Sequence, residues 1–571
     1  MTSKSRLTCC TLLCLVPLLP ITARLGELQI LQHRELSSRA VGQMNLESIQ
    51  IASRGRILDR SGKVLAESLP SWSSFLDPSL VKSRTKTADL LADVMQVGRA
   101  EILRKLRAPN RFVWLKRKIT PEERDSLIRL KIDGVAVLED AQRFYPNDRI
   151  ARGLLGAVSV DQKGLSGLES AYESDLAGTP GTLRLIRDGS GRHVLLAARE
   201  QRQAPPDLIL TIDQNMQHFA HAALQEGVAR HEPRQALVMV QDSRSGDLLA
   251  VASHPEDPLK NPAVQETFEP GSTYKLVTMA AALEENWVGI GDESSGEGGR
   301  WEVSPRVTIK DHEPLGTITI AEAFEKSSNI VLAKLGLALG PDRFYFYSHA
   351  FGFGVRTGID LPGESPGHVR NLGLKERVEL ANNSFGQGLS VTALQMLNAY
   401  TAVANDGVLL EPRLVMEAGR RKTSASAVVR RVAGRETIQT LKRLLEGVVE
   451  RGTGIAAAVP GYRIAGKTGT AQKLDETTRR YSATDYVASF VGYAPSRSPR
   501  FTILVLMDSP RKGYYGSDVA APLFSKLMRQ LLAYDGIAPD AAPDPPVHVP
   551  VFSRRPLVPG PAHAPSALRA P

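Results

Sequence analysis

The order of strand-like and helical segments in the C-terminal part of the chain restricts its fold most strongly. Apolar runs typical of strands occur at 208–212, 236–253, 462–472, 485–494 and 500–508, and helical patterns dominate the stretch between them. Strands at both ends of a domain with helices between them favour an antiparallel sheet in which the first and last strands meet. We therefore predict an α+β domain over residues 206–535, with an antiparallel sheet flanked by helices.

The composition is that of a folded protein with several domains. Hydrophobic residues make up 42% and charged residues 23% of 571 residues, which excludes disorder, collagen or a coiled-coil rod for the bulk of the chain. A mean hydropathy of −0.16 excludes a polytopic membrane protein. At roughly 100–200 residues per domain, the length fits about two to four domains.

The net charge of +10 permits anionic partners such as nucleic acid, phospholipid headgroups or an acidic wall polymer. It does not choose among them, and a merely basic soluble surface is an equally open explanation. The sequence contains no basic block or aromatic-interleaved basic patch, so we expect no nucleic-acid partner.

The first apolar segment determines the expected compartment. A run of about 17 apolar residues from Leu7 to Ala23 follows Lys4 and Arg6, which is the lower limit for a spanning helix. Three interpretations are open: a retained single-pass anchor, a cleaved secretory signal, and a lipoprotein signal, which Leu13 before Cys14 disfavours. We predict a membrane anchor or signal at 1–24, with the rest of the chain outside the cytoplasmic membrane. All three cysteines lie in this segment, so the body has no disulfide or thiolate zinc site.

Residues 25–205 are predicted to form a separate N-terminal domain. The expected elements are a helix over 25–53, a strand–turn–strand unit around Ser61-Gly62, and helices over 87–131 that include a capping box at Thr120. Pro205-Pro206 marks the junction with the next domain. After residue 535 proline and alanine dominate without any period, so we predict a disordered tail over 536–571.

The segment around Ser272 carries the most specific chemical signal. Gly271 permits a tight turn before a helix, and Lys275 follows Ser272 by nearly one helical turn, which places both side chains on one face. A lysine whose pKa is lowered by burial can accept the proton of a serine hydroxyl and so activate it as a nucleophile. The Ser-x-x-Lys spacing alone is weak, because it also occurs at Ser79, Ser83 and Ser509.

Two further motifs follow in order and make coincidence implausible. They are Ser327-Ser328-Asn329 and Lys467-Thr468-Gly469-Thr470. Separately, the first is explained by a helix cap and the second by a charge on an edge strand. Three such motifs in this order and in fitting contexts point to one acyl-transfer site.

This ordered set resembles that of penicillin-recognising serine acyltransferases, and residues 20–535 are similar to class B penicillin-binding proteins, which are peptidoglycan D,D-transpeptidases. Further matches are Arg54-Gly55-Arg56-Ile57, Asp59-Arg60, Gly164, Gly167-Leu168-Glu169, Ser384-Phe385-Gly386-Gln387-Gly388 and Tyr515-Gly516. The resemblance implies the penicillin-binding transpeptidase fold on an elongated α+β pedestal of the dimerisation type. Ser327-Ser328-Asn329 and Ile309-Lys310-Asp311-His312 resemble the division (FtsI-like) branch, with the elongation branch as the alternative.

The resemblance also implies a role for each motif residue. Ser272 attacks the penultimate D-alanine carbonyl of a stem peptide, Lys275 accepts its proton, and Ser327 relays a proton to the leaving amine. Asn329 supports Lys275 and the donor amide, and Lys467 supplies positive charge. The substrate is bound by Thr468, Gly469 and Thr470. The backbone N–H groups of Ser272 and Thr470 form the oxyanion hole. No cofactor or metal is required. We interpret His254 and His312 as ordinary histidines, because the chain has no Gly-x-Ser-x-Gly elbow.

The resemblance implies peptidoglycan stem peptides as donor and acceptor, β-lactams as inhibitors, and a SEDS-family glycosyltransferase with other division proteins as partners. Three other functions are open at this point: a D,D-carboxypeptidase, a serine β-lactamase, and an inactive scaffold. A β-lactamase has no need of the N-terminal domain, and a scaffold has no need of the intact serine and lysine motifs.

Overall fold

The computed structural model describes residues 18–540 with short gaps. The gaps are 51–52, 111, 148–150, 179–180, 188–192, 200–204, 374, 420, 424–425, 476–477 and 479. Residues 1–17 of the predicted anchor or signal and residues 541–571 of the predicted tail lie outside the described part. Within it, no helix combines the length and the apolar character needed to cross a membrane.

The pedestal, residues 25–205, and the helix that precedes it contain both helices and strands. The helices are α1 (Leu18–Gly26), α2 (His33–Met44), α3 (Arg84–Met95), α4 (Arg99–Leu106), α5 (Pro121–Leu130), α6 (Arg152–Leu155), α7 (Gly167–Ala171) and α8 (Glu173–Leu176), with a π-helical turn at Glu27–Leu31. The strands are β1 (Asn45–Gln50), β2 (Ile57–Leu58), β3 (Val64–Leu76), β4 (Val113–Ile119), β5 (Val135–Phe144), β6 (Gly181–Arg187) and β7 (His193–Arg199).

Two expectations for the pedestal need correction. The helix predicted over 25–53 ends at Met44 and continues as strand β1, which pairs antiparallel with β6. The helices predicted over 87–131 are interrupted by β4, which pairs antiparallel with β3. Other details are as predicted: the chain turns between β2 and β3, and Thr120 and Glu123 form a capping box at the start of α5.

A buried ionic cluster joins the segments of the pedestal that are distant in sequence. Glu169 accepts hydrogen bonds from Arg54 Nε at 2.9 Å and Arg143 Nε at 2.6 Å, and all three side chains are at most 1% exposed. Arg54 also bonds Glu173 at 2.7 Å. Because buried charges are stable only when paired, this cluster fixes the two matched motifs around Arg54 and Glu169 against each other.

The C-terminal part alternates short strands with longer helices. Its strands are β8 (Leu208–Leu210), β9 (Gln235–Asp242), β10 (Leu248–His254), β11 (Thr267–Phe268), β12 (Glu293–Ser295), β13 (Arg300–Ser304), β14 (Val307–Lys310), β15 (Thr317–Thr319), β16 (Val391–Thr392), β17 (Val408–Leu410), β18 (Val415–Ala418), β19 (Arg421–Lys422), β20 (Val428–Arg431), β21 (Ala465–Leu474), β22 (Tyr481–Ala494) and β23 (Phe501–Asp508). Its helices are α9 (Gln214–His231), α10 (Pro262–Gln265), α11 (Lys275–Glu284), α12 (Ile320–Glu325), α13 (Asn329–Ala350), α14 (Arg377–Asn383), α15 (Ala393–Ala404), α16 (Arg435–Glu450), α17 (Gly516–Val519) and α18 (Ala521–Tyr534), with 3₁₀ turns at Gly271–Tyr274, Glu297–Gly299 and Ile455–Ala457.

A five-stranded antiparallel sheet organises this part in the order β10-β9-β23-β22-β21. The early strand β9 pairs with the late strand β23, as predicted, with Met239 opposite Leu504. Alternate residues of β9 join different hydrophobic clusters: Met239 packs on the side of α11 and α13, and Val240 on the side of α9 and α18. Both faces of the sheet are therefore buried, and β21 is left at its edge.

The strand predicted at 208–212 belongs to a different sheet. Strand β8 pairs parallel with β2 of the pedestal and antiparallel with β18. The contact continues at Asp59, whose carboxylate accepts a hydrogen bond from the backbone N–H of Gln214 at 3.2 Å. Backbone pairing thus joins the pedestal to the C-terminal part near the predicted junction.

Candidate active site

A cleft of about 690 Å³ lies beside the edge strand β21. Ser272, Ser327 and Asn329 line it from the helical side, and Thr468 and Thr470 line it from β21. The three motifs, more than 190 positions apart from first to last, meet in this one cleft.

Ser272 lies in the 3₁₀ turn Gly271–Tyr274 that precedes α11. Gly271 has φ 53°, and a Cβ there would approach the Thr470 carbonyl oxygen to 3.2 Å. Its backbone N–H donates to the carbonyl oxygen of Gly386 at 3.0 Å. Glycine is therefore needed for both the turn and its contact with β21, and the turn carries the partly exposed Ser272 to the cleft.

Lys275 is the first residue of α11, and its side chain is fully buried. Its Nζ donates to the Ser327 carbonyl oxygen at 2.6 Å, to Ser327 Oγ at 3.0 Å and to Asn329 Oδ1 at 2.7 Å. Burial lowers the pKa of Lys275 to about 7, against the opposing charge of Asp311. Near neutral pH, a substantial fraction of this amine is free to accept a proton.

The Ser327-Ser328-Asn329 segment is held in an uncommon conformation. Ser327 has φ 63°, in the left-handed region, and Ser328 is the N-cap of α13, its hydroxyl accepting from the backbone N–H of Val331 at 3.1 Å. This arrangement turns the carbonyl and hydroxyl of Ser327 toward Lys275, which requires a backbone strain typical of functional sites.

Lys467 reaches the same serine from β21. Its buried Nζ donates to Ser327 Oγ at 3.0 Å, so the hydroxyl of Ser327 lies between two amines. Burial and the nearby charge of Lys275 lower the pKa of Lys467 well below its usual value. Two ammonium groups around one hydroxyl repel each other, which favours the loss of a proton from one of them. The fixed positive charge expected for Lys467 stays a prediction.

The threonines of β21 alternate toward the cleft. The Oγ1 atoms of Thr468 and Thr453 are 2.7 Å apart, and Thr470 Oγ1 accepts from the backbone N–H of Gly516 at 3.0 Å. Gly469 points the other way, where a Cβ would come within 2.3 Å of Ser489 Oγ. Gly469 therefore does not line the cleft. Its missing side chain allows β21 to lie close to its neighbours.

Several cleft residues were not assigned a role from the sequence. Asp311 contacts the first turn of α13, and Thr453 contacts Thr468. Tyr486 and Tyr515 also line the cleft. In the sequence, only Asp311 and Tyr515 belong to segments that match the family, Lys310-Asp311 and Tyr515-Gly516. Thr453 and Tyr486 are found only by their position in the folded structure. His312 lies in the cleft wall with Nδ1 3.3 Å from Tyr515 Oη.

Comparison with known proteins agrees with this geometry. Residues 236–529 match the penicillin-binding protein transpeptidase domain, and residues 49–209 match the penicillin-binding protein dimerisation domain. Stage V sporulation protein D of Bacillus subtilis is 32% identical over 565 residues, covering 94% of this chain and 87% of that protein. Peptidoglycan D,D-transpeptidase FtsI of Escherichia coli K12 is 30% identical over 512 residues, covering 86% and 85%.

A solved structure extends the likeness to the fold. The crystal structure of penicillin-binding protein 3 of Mycobacterium tuberculosis with ampicillin superposes with a TM-score of 0.67 at 28% identity, covering 87% of this chain and 99% of that one. The fold and the serine–lysine cleft are those of a penicillin-binding transpeptidase domain. The chain belongs to the class B penicillin-binding protein family, as the sequence predicted.

Proposed function

We propose that this chain, a penicillin-binding peptidoglycan D,D-transpeptidase, cross-links stem peptides through an acyl-enzyme on Ser272. The observation that carries the assignment is the environment of Lys275, a buried amine with a pKa near 7 that is held between Ser327 and Asn329. Such an amine can accept a proton at neutral pH, which an exposed lysine cannot.

In the acylation step, the deprotonated amine of Lys275 takes the proton of Ser272 as its Oγ attacks the penultimate D-alanine carbonyl. The backbone N–H groups of Ser272 and Thr470 stabilise the oxyanion that forms. Collapse of the tetrahedral intermediate breaks the peptide bond and releases D-alanine. Its amine leaves with a proton from the Ser327 hydroxyl, which Lys275 or Lys467 replaces, since both donate to Ser327 Oγ at 3.0 Å.

The terminal carboxylate of the donor peptide binds at β21. Thr468 and Thr470 line the cleft there, and Lys467 lies directly behind them. A bound carboxylate favours the charged form of Lys467 and raises its lowered pKa, because an opposite charge nearby stabilises an ammonium group. When one of the two lysine amines carries a proton, donor binding therefore favours Lys467 as the protonated one. Lys275 is then neutral and acts as the base.

In the second step, an amine from another stem peptide attacks the acyl-enzyme and loses a proton to Lys275, and Ser272 leaves with a proton from Lys275. This step distinguishes a transpeptidase from a D,D-carboxypeptidase or β-lactamase, in which water attacks.

The test is product analysis with a stem-pentapeptide donor and an added amine acceptor. We expect a cross-linked product that depends on Ser272, with Ser509→Ala as the active control. Hydrolysis alone, at every acceptor concentration, contradicts transfer.

We also infer that the enzyme acts in septal wall synthesis, anchored in the cytoplasmic membrane by residues 1–24 with its cleft outside the cytoplasm. The support is the resemblance of Ser327-Ser328-Asn329 and Lys310-Asp311-His312 to the division branch, together with the likeness to FtsI. A SEDS-family glycosyltransferase is the expected partner, because a cross-linking enzyme requires newly made glycan strands.

An anchor exchange tests this placement. Replacing residues 1–24 with an unrelated membrane segment should leave penicillin acylation unchanged, because the cleft residues begin at Gly271. Septal recruitment or stimulation of the glycosyltransferase should weaken. Normal septal placement with the exchanged segment would mean that it is only a tether, and would confine any partner surface to the pedestal.

A further inference from the structure

Asp311 lies in the lining of the cleft and holds the first turn of α13. Its Oδ1 accepts from the backbone N–H of Asn329 at 2.5 Å and of Ile330 at 3.1 Å, and its Oδ2 accepts from the Ser328 hydroxyl at 2.6 Å. Asp311 directly follows β14, so this strand end and the helix N-terminus are joined by one carboxylate. Both of its oxygens are committed to the helix turn.

The turn that Asp311 holds is the one that faces Lys275. The left-handed backbone conformation of Ser327 is strained and persists only where its surroundings fix it. The amide of Asn329 is fixed at both ends: Oδ1 accepts from Lys275 at 2.7 Å, and Nδ2 donates to the Lys310 carbonyl oxygen at 2.8 Å. The Lys310–Asp311 segment thus sets both the backbone and the side chain of Asn329.

The charge of Asp311 acts on Lys275 in addition to its contacts with the first turn of α13. It favours the ammonium form of Lys275 and so raises the pKa of that lysine, in opposition to burial. The other charged or titratable groups of the cleft are the buried Lys467 and the lining residues Lys310, His312, Glu313, Lys326, Arg451, Tyr486, Tyr514, Tyr515 and Asp518. Asp311 is the group whose charge raises the pKa of Lys275.

We infer that Asp311 is a positioning residue for acylation, which fixes Ser327 and Asn329 in register with Lys275 through the first turn of α13. The inference rests on the proposed function. It assigns Asp311 no contact with substrate, so its effect must pass through Asn329 and Lys275.

Asp311→Asn tests the inference with nearly unchanged side-chain volume. The amide nitrogen would face donors, so the hydrogen bonds to the first turn of α13 are weakened and acylation should slow by about 10- to 100-fold. The matched control is Glu322→Gln, which neutralises a carboxylate that caps the preceding helix through the Thr319 N–H at 2.9 Å. The control should acylate at the parent rate. If the parent itself fails to acylate, the proposed function fails; the inference on Asp311 is judged only against an active parent.

A double-mutant cycle identifies the route of the effect. If Asp311 acts through Asn329, then Asp311→Asn should add little to the loss caused by Asn329→Ala, because residues that share contacts are not additive. Fully additive losses would overturn the inference. An unchanged acylation rate of a folded Asp311→Asn protein would also overturn it.

The pH profile separates positioning from a general loss of structure. Without the negative charge, the pKa of Lys275 falls. The rise of the acylation rate with pH should therefore occur at lower pH in Asp311→Asn, so that the acid limb of the pH–rate profile shifts. Ser328→Ala removes the 2.6 Å contact but keeps the charge; it should slow acylation without moving the limb. Should Asp311→Asn not fold, Ser328→Ala decides: a folded protein with the parent rate contradicts the inference. A rate loss in Asp311→Asn that is equal at all pH values would contradict the charge component.

Discussion

Replacing Lys275 by arginine keeps the positive charge but removes the ability to accept a proton. The guanidinium stays protonated in proteins, whereas burial brings the pKa of Lys275 to about 7. General-base catalysis contributes about 10²- to 10⁴-fold, so the acylation rate of Lys275→Arg should fall by that factor, or by about 3–5.5 kcal/mol in activation free energy. The measurement is the second-order rate constant for labelling by fluorescent penicillin.

The structure also predicts a packing penalty for this substitution. Lys275 is fully buried and its three hydrogen bonds go to Ser327 and Asn329, whereas arginine brings five donors in a rigid plane. Overpacking of this kind costs about 1–3 kcal/mol of stability, so thermal unfolding must be measured alongside. Lys275→Met, with similar volume and no charge, should be equally slow without the excess donors.

The control is Lys473→Arg on strand β21, where the lysine pairs with Asp508 at 2.6 Å and is 30% exposed. This variant should label at the parent rate. Lys275→Arg that folds and labels at the parent rate would refute the general-base role.

Three other outcomes are expected. The acylation rate of the parent should rise with pH through about 7 and then level off, because the active form of Lys275 is the deprotonated one; a rate that is flat from pH 5 to 9 contradicts this. Gly469→Ala should lower acylation by about 100-fold, because its Cβ would lie 2.3 Å from Ser489 Oγ and 3.0 Å from Thr273 Cγ2 and would push β21 away from the 3₁₀ turn that carries Ser272; an unchanged rate contradicts the packing argument. Thr453→Val should raise the KM for the donor peptide severalfold at nearly constant kcat, since Thr468 loses a hydrogen bond worth about 1 kcal/mol; a fall in kcat alone contradicts a binding role.

Local sequence signals predicted the elements that local chemistry determines. The capping box expected at Thr120 forms at the start of α5, and the turn expected at Ser61-Gly62 joins β2 to β3. In each case the stabilising contact lies within a few residues, so the sequence is sufficient.

Tertiary pairing decided the elements that were missed. Strand β4 reads Val-Trp-Leu-Lys-Arg-Lys-Ile, and its charged residues hide the apolar alternation. Lys116 and Arg117 are nevertheless partly buried, because they pair with Glu123 and Asp140. Strand β8 resembles the start of the main sheet, but its partners β2 and β18 are distant in sequence. No local pattern specifies such pairings.

The candidate site shows the same division. The three motifs predicted which residues meet, and the structure places Ser272, Ser327, Asn329, Thr468 and Thr470 along one cleft, with Lys275 and Lys467 at the Ser327 hydroxyl. The lowered pKa of both lysines depends on burial, and the contacts of Asp311 depend on where β14 ends relative to α13. The motif residues alone therefore do not predict the pKa changes or the contacts of Asp311.

Peptide mapping of the penicillin adduct tests the central claim most directly. The nucleophile lies in the tryptic peptide Asn261–Lys275, whose other hydroxyl residues are Thr267, Thr273 and Tyr274. Fragmentation should place the acyl group on Ser272, and Ser272→Ala should show no adduct while unfolding at the parent temperature. An adduct on Ser79, Ser83 or Ser509, or full labelling of Ser272→Ala, would contradict the account.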